Sequence, residues 1–203
     1  MSISNYIVIG YGRCGSHWVS EVCCRVLNRK EVVFIEDNSW QPYDANWVLH
    51  THDISAVQDL DPSIKEKTCL IISRRHDLFS SEISRAIAEH TNEWYNYSNK
   101  QITPFDIDEA KFINQIAATP WAYKKIDNVA ETYPTTCNIW FEDLIANKNS
   151  IESFIADKID KIPSGDILPY TTPNARDYSK VVLNYDRLKD VTKSISFYQV
   201  DQK

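Results

Sequence analysis

The chain has 203 residues, enough for one domain in which helices cover both faces of a sheet of about five strands. Its formal charge of -6 at pH 7 disfavours nonspecific binding to nucleic acid, because phosphate backbones attract basic surfaces. No stretch approaches the roughly 18 apolar residues of a membrane span, and the first ten residues lack the features of a secretion signal. We therefore expect a cytoplasmic protein that binds neither nucleic acid nor membrane.

Five short apolar runs predict strands, and the segments between them repeat apolar residues every three or four positions, as amphipathic helices do. Continuous apolar strands that alternate with helices are typical of a parallel sheet covered on both faces. The sequence thus predicts an α/β fold with three layers, α/β/α, around a central parallel sheet of about five strands. The predicted strands are 6–10, 31–36, 47–50, 69–73 and 137–141, and the predicted helices are 16–28, 77–97, 106–132 and 177–191.

The five cysteines are odd in number, and Cys69 and Cys137 lie inside apolar runs, where cysteine acts as a small hydrophobic residue. We therefore expect reduced thiols. The spacing of Cys23 and Arg29 matches the C-x5-R loop of cysteine phosphatases. In those enzymes the intervening residues surround an anion, whereas here they continue a helical pattern, so the phosphatase interpretation is disfavoured.

The turn after the first predicted strand, GYGRCGSHW at 10–18, contains three of the four glycines of the chain. A turn from strand to helix gathers backbone N–H groups, and the helix N-terminus adds about half a positive charge. Ser16 can contribute a hydroxyl, and the guanidinium of Arg13 can bind two oxygens of a phosphate or sulfate. The segment therefore predicts an anion site, with a turn that uses glycine only for sharpness as the alternative.

The same turn can be compared with the ATP-binding pattern G-x-x-x-x-G-K-[ST]. Gly10 and Gly15 match, but Ser16 stands at the lysine position and His17 at the position of the Mg-binding hydroxyl. Sulfuryl transfer needs no metal and moves a less charged group than a phosphoryl, so it tolerates both replacements. A divergent P-loop kinase of nucleosides or small molecules remains the alternative enzyme.

The segment 11–18, YGRCGSHW, resembles the Y-P-K-S-G-T-T-W signature of sulfotransferases that use 3′-phosphoadenosine 5′-phosphosulfate (PAPS), in which this loop holds the 5′-phosphosulfate. The resemblance implies one sulfotransferase-like domain over residues 1–203 with a P-loop NTPase-like fold. It implies PAPS as donor, adenosine 3′,5′-bisphosphate (PAP) as product and no required metal. The residues to which it assigns nucleotide binding in this loop are Gly12, Arg13, Cys14, Gly15, Ser16, His17 and Trp18.

A second segment, VLHTHDI at 48–54, resembles the K-T-H element of cytosolic sulfotransferases, whose histidine is the general base. The resemblance gives that role to His52. The position also suits a base, because ligands of open parallel sheets bind beyond the ends of strands and an imidazole has an ordinary pKa of about 6.5. The alternative is that His50 and His52 are surface or capping residues, and a zinc site is disfavoured because no third ligand cluster stands out.

Three later segments extend the resemblance along the chain. The stretch 70–90, LIISRRHDLFSSEISRAIAEH, resembles the family's second signature, in which an arginine that ends a strand and a serine in the next helix hold the 3′-phosphate. This implies Arg74 together with Ser84 or Ser81, depending on the branch of the family that is aligned. The stretch 139–147, IWFEDLIAN, resembles an architectural Y-E-D-L element. The stretch 175–188 resembles the segment that closes over the nucleotide, where Arg176 reaches the 3′-phosphate.

These matches predict a sulfotransferase that moves a sulfuryl group from PAPS to a hydroxyl of a carbohydrate or small molecule. His52 removes the acceptor proton, while Arg13, Ser16 and the loop amides stabilise charge on the transferring group. We expect Cys14 to be noncatalytic, with a pKa lowered by the helix N-terminus and Arg13. A noncatalytic nucleotide-binding module is the alternative from a different class, and the sequence leaves the acceptor and the oligomeric state open.

Overall fold

The computed structural model describes residues 3–35, 47–94, 101–159 and 177–195. All five predicted strands are confirmed, with ends that agree within about two residues. The elements in chain order are β1 (Asn5–Gly10), α1 (Ser16–Val26), β2 (Glu31–Ile35), β3 (Trp47–Thr51), α2 (Ile54–Gln58), α3 (Pro62–Lys65), β4 (Thr68–Arg74), α4 (Leu78–Thr91), α5 (Glu109–Ala130), β5 (Thr135–Trp140), α6 (Phe141–Ala146), α7 (Ile151–Lys158) and α8 (Tyr185–Lys193), with a 3-10 turn at Tyr178–Lys180 before α8.

The five strands form one parallel sheet in the order β2-β3-β1-β4-β5, which confirms the predicted central parallel sheet. In the middle of the sheet, Ile9 of β1 lies opposite Thr51 of β3. The chain leaves β1 toward β2 on one side, whereas it leaves β4 toward β5 on the other side. The carboxyl ends of β1 and β4 are therefore the switch point of the sheet, where open parallel sheets bind their ligands.

Helices pack on both faces of this sheet. Side chains alternate between the two faces along each strand, so one face collects every second residue. One face packs against α2 and the C-terminal half of α5, and its buried cluster is Ile7, Ile9, Leu49, Val57, Leu70, Ile72, Ile126, Val129 and Tyr133. On the other face, the Cys69 and Cys137 thiols lie close to Cys23 of α1, and α1 packs on α7.

The chain divides into two compact units. Unit 1 comprises residues 1–75 and 121–168 and contains the sheet, and unit 2 comprises residues 76–120 and 169–203. Unit 2 has a separate apolar cluster, made of Phe79, Ile83, Ile87, Ile107, Phe112, Ile116, Val182 and Leu188. The single domain over residues 1–203 stays a prediction.

Helices lie at all four predicted segments but differ in extent, and α2, α3, α6 and α7 lie outside the predicted helices. α4 ends at Thr91, because Asn92 adopts a left-handed backbone with φ of 54° and stops the helix. The continuous helix predicted over 177–191 is wrong. There a 3-10 turn is followed by a parallel bridge between Val182 and Phe105, and α8 begins only at Tyr185.

Two further properties of the described residues bear on the sequence predictions. None of the helices in the described ranges combines the length and apolar character that a membrane span requires. All five cysteines are buried and none forms a disulfide, which confirms the predicted reduced thiols.

Candidate functional site

The turn between β1 and α1, residues 10–16, is called the β1–α1 loop below. Gly12 and Gly15 have positive φ angles of 67° and 81°, a left-handed conformation in which side chains are disfavoured. A Cβ at Gly15 would lie 2.7 Å from the ring of Phe141, and a Cβ at Gly10 would overlap the Cys14 sulfur. The glycines therefore serve close packing as well as the turn itself.

Side chains at the end of β4 hold two consecutive carbonyls of the β1–α1 loop. The Ser73 hydroxyl donates to the carbonyl of Cys14 at 2.9 Å, and the Arg75 guanidinium donates to the carbonyl of Arg13 at 3.3 Å. In a trans peptide the N–H points opposite to the C=O, so the N–H groups of Cys14 and Gly15 point away from these donors. Successive N–H groups in turns of this kind form the anion-binding concavities of many proteins.

The N-terminus of α1 adds further donors to the same turn. The first helical hydrogen bond runs from the Val19 N–H to the Gly15 carbonyl at 3.0 Å, so the preceding amides have no partner within the helix. Within the described ranges no side chain caps this end of α1, and no acidic residue lies in its first turn. The partial positive charge of the helix is thus not offset by a side chain of its own first turn.

The Cys14 side chain contradicts its predicted chemistry. The thiol is buried, and burial raises its pKa, which the neighbouring polar groups of Ser73 and Ser16 lower only in part. The expected lowering by the helix N-terminus is therefore wrong, because the loss of hydration outweighs it. Cys14 remains a candidate for anion binding through its backbone N–H alone.

His50, on β3, lies on the face of the sheet that α1 covers and is 2% exposed. Its Nε2 is 2.8 Å from the Ser16 hydroxyl oxygen. Burial, and then the neighbouring imidazoles of His52 and His17, lower the pKa of His50 to about 3, so the ring is neutral near pH 7. Among the described residues, nothing hydrogen-bonds to its Nδ1. Sequence analysis gave the base role to His52 and left His50 out of the predicted site residues, although the spacing of the two histidines puts both side chains on one face.

His52 follows β3, and its side chain is exposed. Its Nδ1 lies 2.6 Å from the carbonyl oxygen of Gly10. Because a carbonyl oxygen can only accept, Nδ1 carries the proton, and in the neutral ring the lone pair is on Nε2. This is the tautomer that a general base acting through Nε2 requires. The hydrogen bond also attaches the predicted base to the first residue of the β1–α1 loop.

Arg74, the predicted ligand of a 3′-phosphate, is 7% exposed and lies inside unit 1. Its Nε donates to the Asn138 side chain at 2.9 Å, and its terminal nitrogens form an ion pair with Asp127. The rings of Tyr123 and Trp140 lie 5.3 and 5.9 Å from the guanidinium carbon. A phosphate would therefore have to compete with Asp127, and the assigned role stays a prediction.

Arg75 lies against the β1–α1 loop. Its guanidinium carbon is 4.4 Å from the ring centre of Phe141, the ring that also packs next to Gly15. A terminal nitrogen of this guanidinium donates to the Arg13 carbonyl. Its Nε is buried and has no hydrogen-bond partner in the described part of the chain. Sequence analysis assigned binding of the 3′-phosphate to Arg74, whereas Arg75 is the arginine of this pair that contacts the β1–α1 loop.

The other predicted residues lie in three different settings. Trp18 is 8% exposed in α1, and its indole N–H has no hydrogen-bond partner among the described residues. His17 is half-exposed and pairs with Glu21 one turn further along α1, at 3.1 Å. Ser81 is buried and Ser84 half-buried on α4, in unit 2. Arg13 is half-buried in the loop, and Arg176 lies outside the described residues.

In unit 1, the structure brings together the β1–α1 loop, Ser16, His50, His52 and Arg75. Within the described ranges, no group of three or more histidine, cysteine, aspartate or glutamate side chains is arranged to hold a metal ion. The chain matches no protein-family model and no curated protein with significant similarity.

Proposed function

We propose that the protein is a sulfotransferase that moves the sulfuryl group of PAPS to a hydroxyl of a carbohydrate or small molecule, on a P-loop NTPase-like fold. The observation that carries this proposal is the hydrogen bond between His52 Nδ1 and the Gly10 carbonyl. It attaches a histidine in the tautomer of a general base to a loop built to bind an anion. A base next to an anion loop is the arrangement that group transfer to a hydroxyl requires.

Binding of the donor rests on the β1–α1 loop. The N–H groups of Cys14 and Gly15, the first amides of α1 and the Ser16 hydroxyl donate to the phosphosulfate oxygens. Arg13 adds a guanidinium, and the contact of Arg75 with the Arg13 carbonyl brings a second positive charge to the loop. The loop thus offers backbone donors and charge without the lysine that ATP-binding loops use.

The proposed transfer proceeds in one displacement at sulfur. His52 Nε2 accepts the proton of the acceptor hydroxyl as its oxygen forms a bond to sulfur. The bond from sulfur to the bridging oxygen breaks, and its electron pair stays on the 5′-phosphate of the departing PAP. The loop amides and Arg13 stabilise the negative charge that develops there. The products are a sulfate ester and PAP, and the proton on His52 then passes to water.

A thermal-shift comparison of PAP, AMP and ATP, each with and without Mg²⁺, tests the donor assignment. A ligand that binds only the folded state at 100 times its Kd stabilises it by about 2.7 kcal/mol. We expect PAP to give the largest shift without metal, and AMP is the matched control because it lacks only the 3′-phosphate. If ATP with Mg²⁺ gives the largest shift, the protein is a kinase. If PAP and AMP give equal shifts, the protein does not recognise the 3′-phosphate.

A further inference from the structure

The mechanism proposed above does not use His50, yet this histidine is among the most buried polar residues of unit 1. It lies on β3 between the ring of Phe34, 4.9 Å away edge to face, and the start of α1. An aliphatic side chain would fill this space without leaving an unpaired polar atom, which is costly when buried. The imidazole does make one hydrogen bond there, to Ser16.

The direction of that hydrogen bond follows from the rest of the ring. A neutral imidazole has one N–H and one lone pair. If Ser16 donated to Nε2, the N–H of His50 would be on Nδ1, buried with no partner among the described residues. A buried N–H without an acceptor is rarer in proteins than an unsatisfied acceptor. The Nε2–H of His50 therefore donates a hydrogen bond to the Ser16 hydroxyl oxygen.

This direction determines what the Ser16 hydroxyl can do. Because its oxygen accepts from His50, its own proton must be donated to another atom. Its neighbouring acceptor among the described residues is the Cys14 sulfur, which forms only weak hydrogen bonds. A phosphate or sulfate oxygen at the β1–α1 loop is a far stronger acceptor.

We propose that His50 is a positioning residue, which keeps the Ser16 hydroxyl oriented as a hydrogen-bond donor to the anion bound at the β1–α1 loop. The inference rests on the proposed function for the presence of that anion. His50 itself does not touch the anion and acts through Ser16. Its ring is neutral near pH 7, so it adds no charge to this corner of the loop.

A double-mutant cycle tests the proposal, with PAP as the probe and isothermal titration calorimetry as the measurement. The variants are Ser16→Ala, His50→Leu, the double variant and His50→Gln, each with its unfolding temperature measured. We expect Ser16→Ala and His50→Leu each to weaken PAP binding on the order of tenfold, the loss typical of a hydrogen bond to a charged group. In the Ser16→Ala background, His50→Leu should cause no further loss.

His50→Gln is the conservative control, because an amide N–H can take the place of the Nε2 proton. It should retain PAP affinity within about threefold of wild type, which loss of packing alone does not explain. If His50→Leu fails to fold, His50→Gln takes its place in the cycle. The proteins compared are then wild type, Ser16→Ala, His50→Gln and the double variant of Ser16→Ala and His50→Gln. Loss of affinity in His50→Gln that is as large in the Ser16→Ala background overturns the inference.

The outcomes separate the inference from the proposed function. Wild-type protein that does not bind PAP overturns both. Binding that Ser16→Ala weakens and His50→Leu leaves unchanged overturns only the inference, because the loop then binds the anion without help from His50. Equal single losses that do not add in the double variant, with rescue by His50→Gln, support it.

Discussion

Two histidines at the end of β3, His50 on the strand and His52 just after it, have different chemistry because their surroundings differ. His50 is buried against Phe34 and Ser16, and burial keeps it neutral. His52, two residues later, is exposed, and its Nδ1–H donates a hydrogen bond to the Gly10 carbonyl. Burial disfavours the charged imidazole that a general base must become, so only the exposed histidine suits that role.

Cys14 provides a prediction at the same scale. Because burial raises the pKa of its thiol, the reactive thiolate is scarce, and we expect slow reaction with iodoacetamide in the native protein. The rate should rise sharply in denaturant, and Cys14→Ser should retain PAP affinity. Mass spectrometry of the labelled peptide measures the modification of this thiol separately from the other four. Native labelling as fast as in denaturant would contradict the buried position.

At the scale of elements, the end of β4 fixes the shape of the β1–α1 loop. Ser73 and Arg75 each hold a loop carbonyl, while Arg74 between them points to the other face of the sheet. Arg74 shares the face of Ile72, on which α5 packs, and there it meets Asp127. Alternation along one strand therefore divides the arginine pair between the loop and the core.

The two arginines should differ when each is replaced by alanine. Arg75→Ala removes a charge at the loop, and we expect PAP binding to weaken by about 1.5 to 3 kcal/mol. Arg74→Ala breaks the bonds to Asn138 and Asp127, and it should instead lower the free energy of unfolding by about 1 to 3 kcal/mol. The 54% exposure of Asp127 limits this second loss, since water can hydrate its carboxylate.

Calorimetric titration with PAP and urea unfolding of both variants measure this difference. Each arginine variant serves as the control for the other, since the residues are adjacent and chemically identical. If Arg74→Ala loses PAP affinity and Arg75→Ala does not, Arg74 binds the 3′-phosphate, as the resemblance to sulfotransferases implies.

The sequence predicted the strands well because most of them are short apolar runs rich in β-branched residues, as buried parallel strands are. It predicted the helices less well, since their ends depend on local backbone and tertiary contacts. Asn92 ends α4 through a left-handed conformation, and the bridge between Phe105 and Val182 interrupts the segment before α8. Neither effect has a signal in apolar periodicity.

The candidate site was predictable in its loop and less so in its partners. Glycine spacing before a helix indicates an anion-binding turn, and a histidine just past a strand indicates a site at the sheet edge. The surroundings of Cys14 depend on the missing side chain of Gly10, where a Cβ would overlap the sulfur, and on Ser73, 59 positions further along the chain, which donates to the Cys14 carbonyl. The hydrogen bond between His50 and Ser16 likewise joins residues 34 positions apart.

At the scale of the whole molecule, the order of strands determines where chemistry can occur. With β1 between β3 and β4, the ends of all three strands meet at one edge of the sheet of unit 1. β1 provides the loop, β3 provides His50 and His52, and β4 provides Ser73 and Arg75. One topological feature thus gathers the proposed anion site, the proposed base and the side chains that hold the loop.

The central claim is that His52 acts as a base on a donor held by the β1–α1 loop, and the release of PAP from PAPS tests it most directly. The measurement compares wild type, His52→Ala and His52→Asn with a panel of carbohydrate and phenolic acceptors, and with water where no acceptor is used. Asparagine can keep the hydrogen bond to the Gly10 carbonyl but cannot take a proton. We expect both variants to bind PAP as wild type does and to release it roughly 10² to 10⁴ times more slowly. Release at the wild-type rate by His52→Asn between pH 6 and 8 would contradict the account.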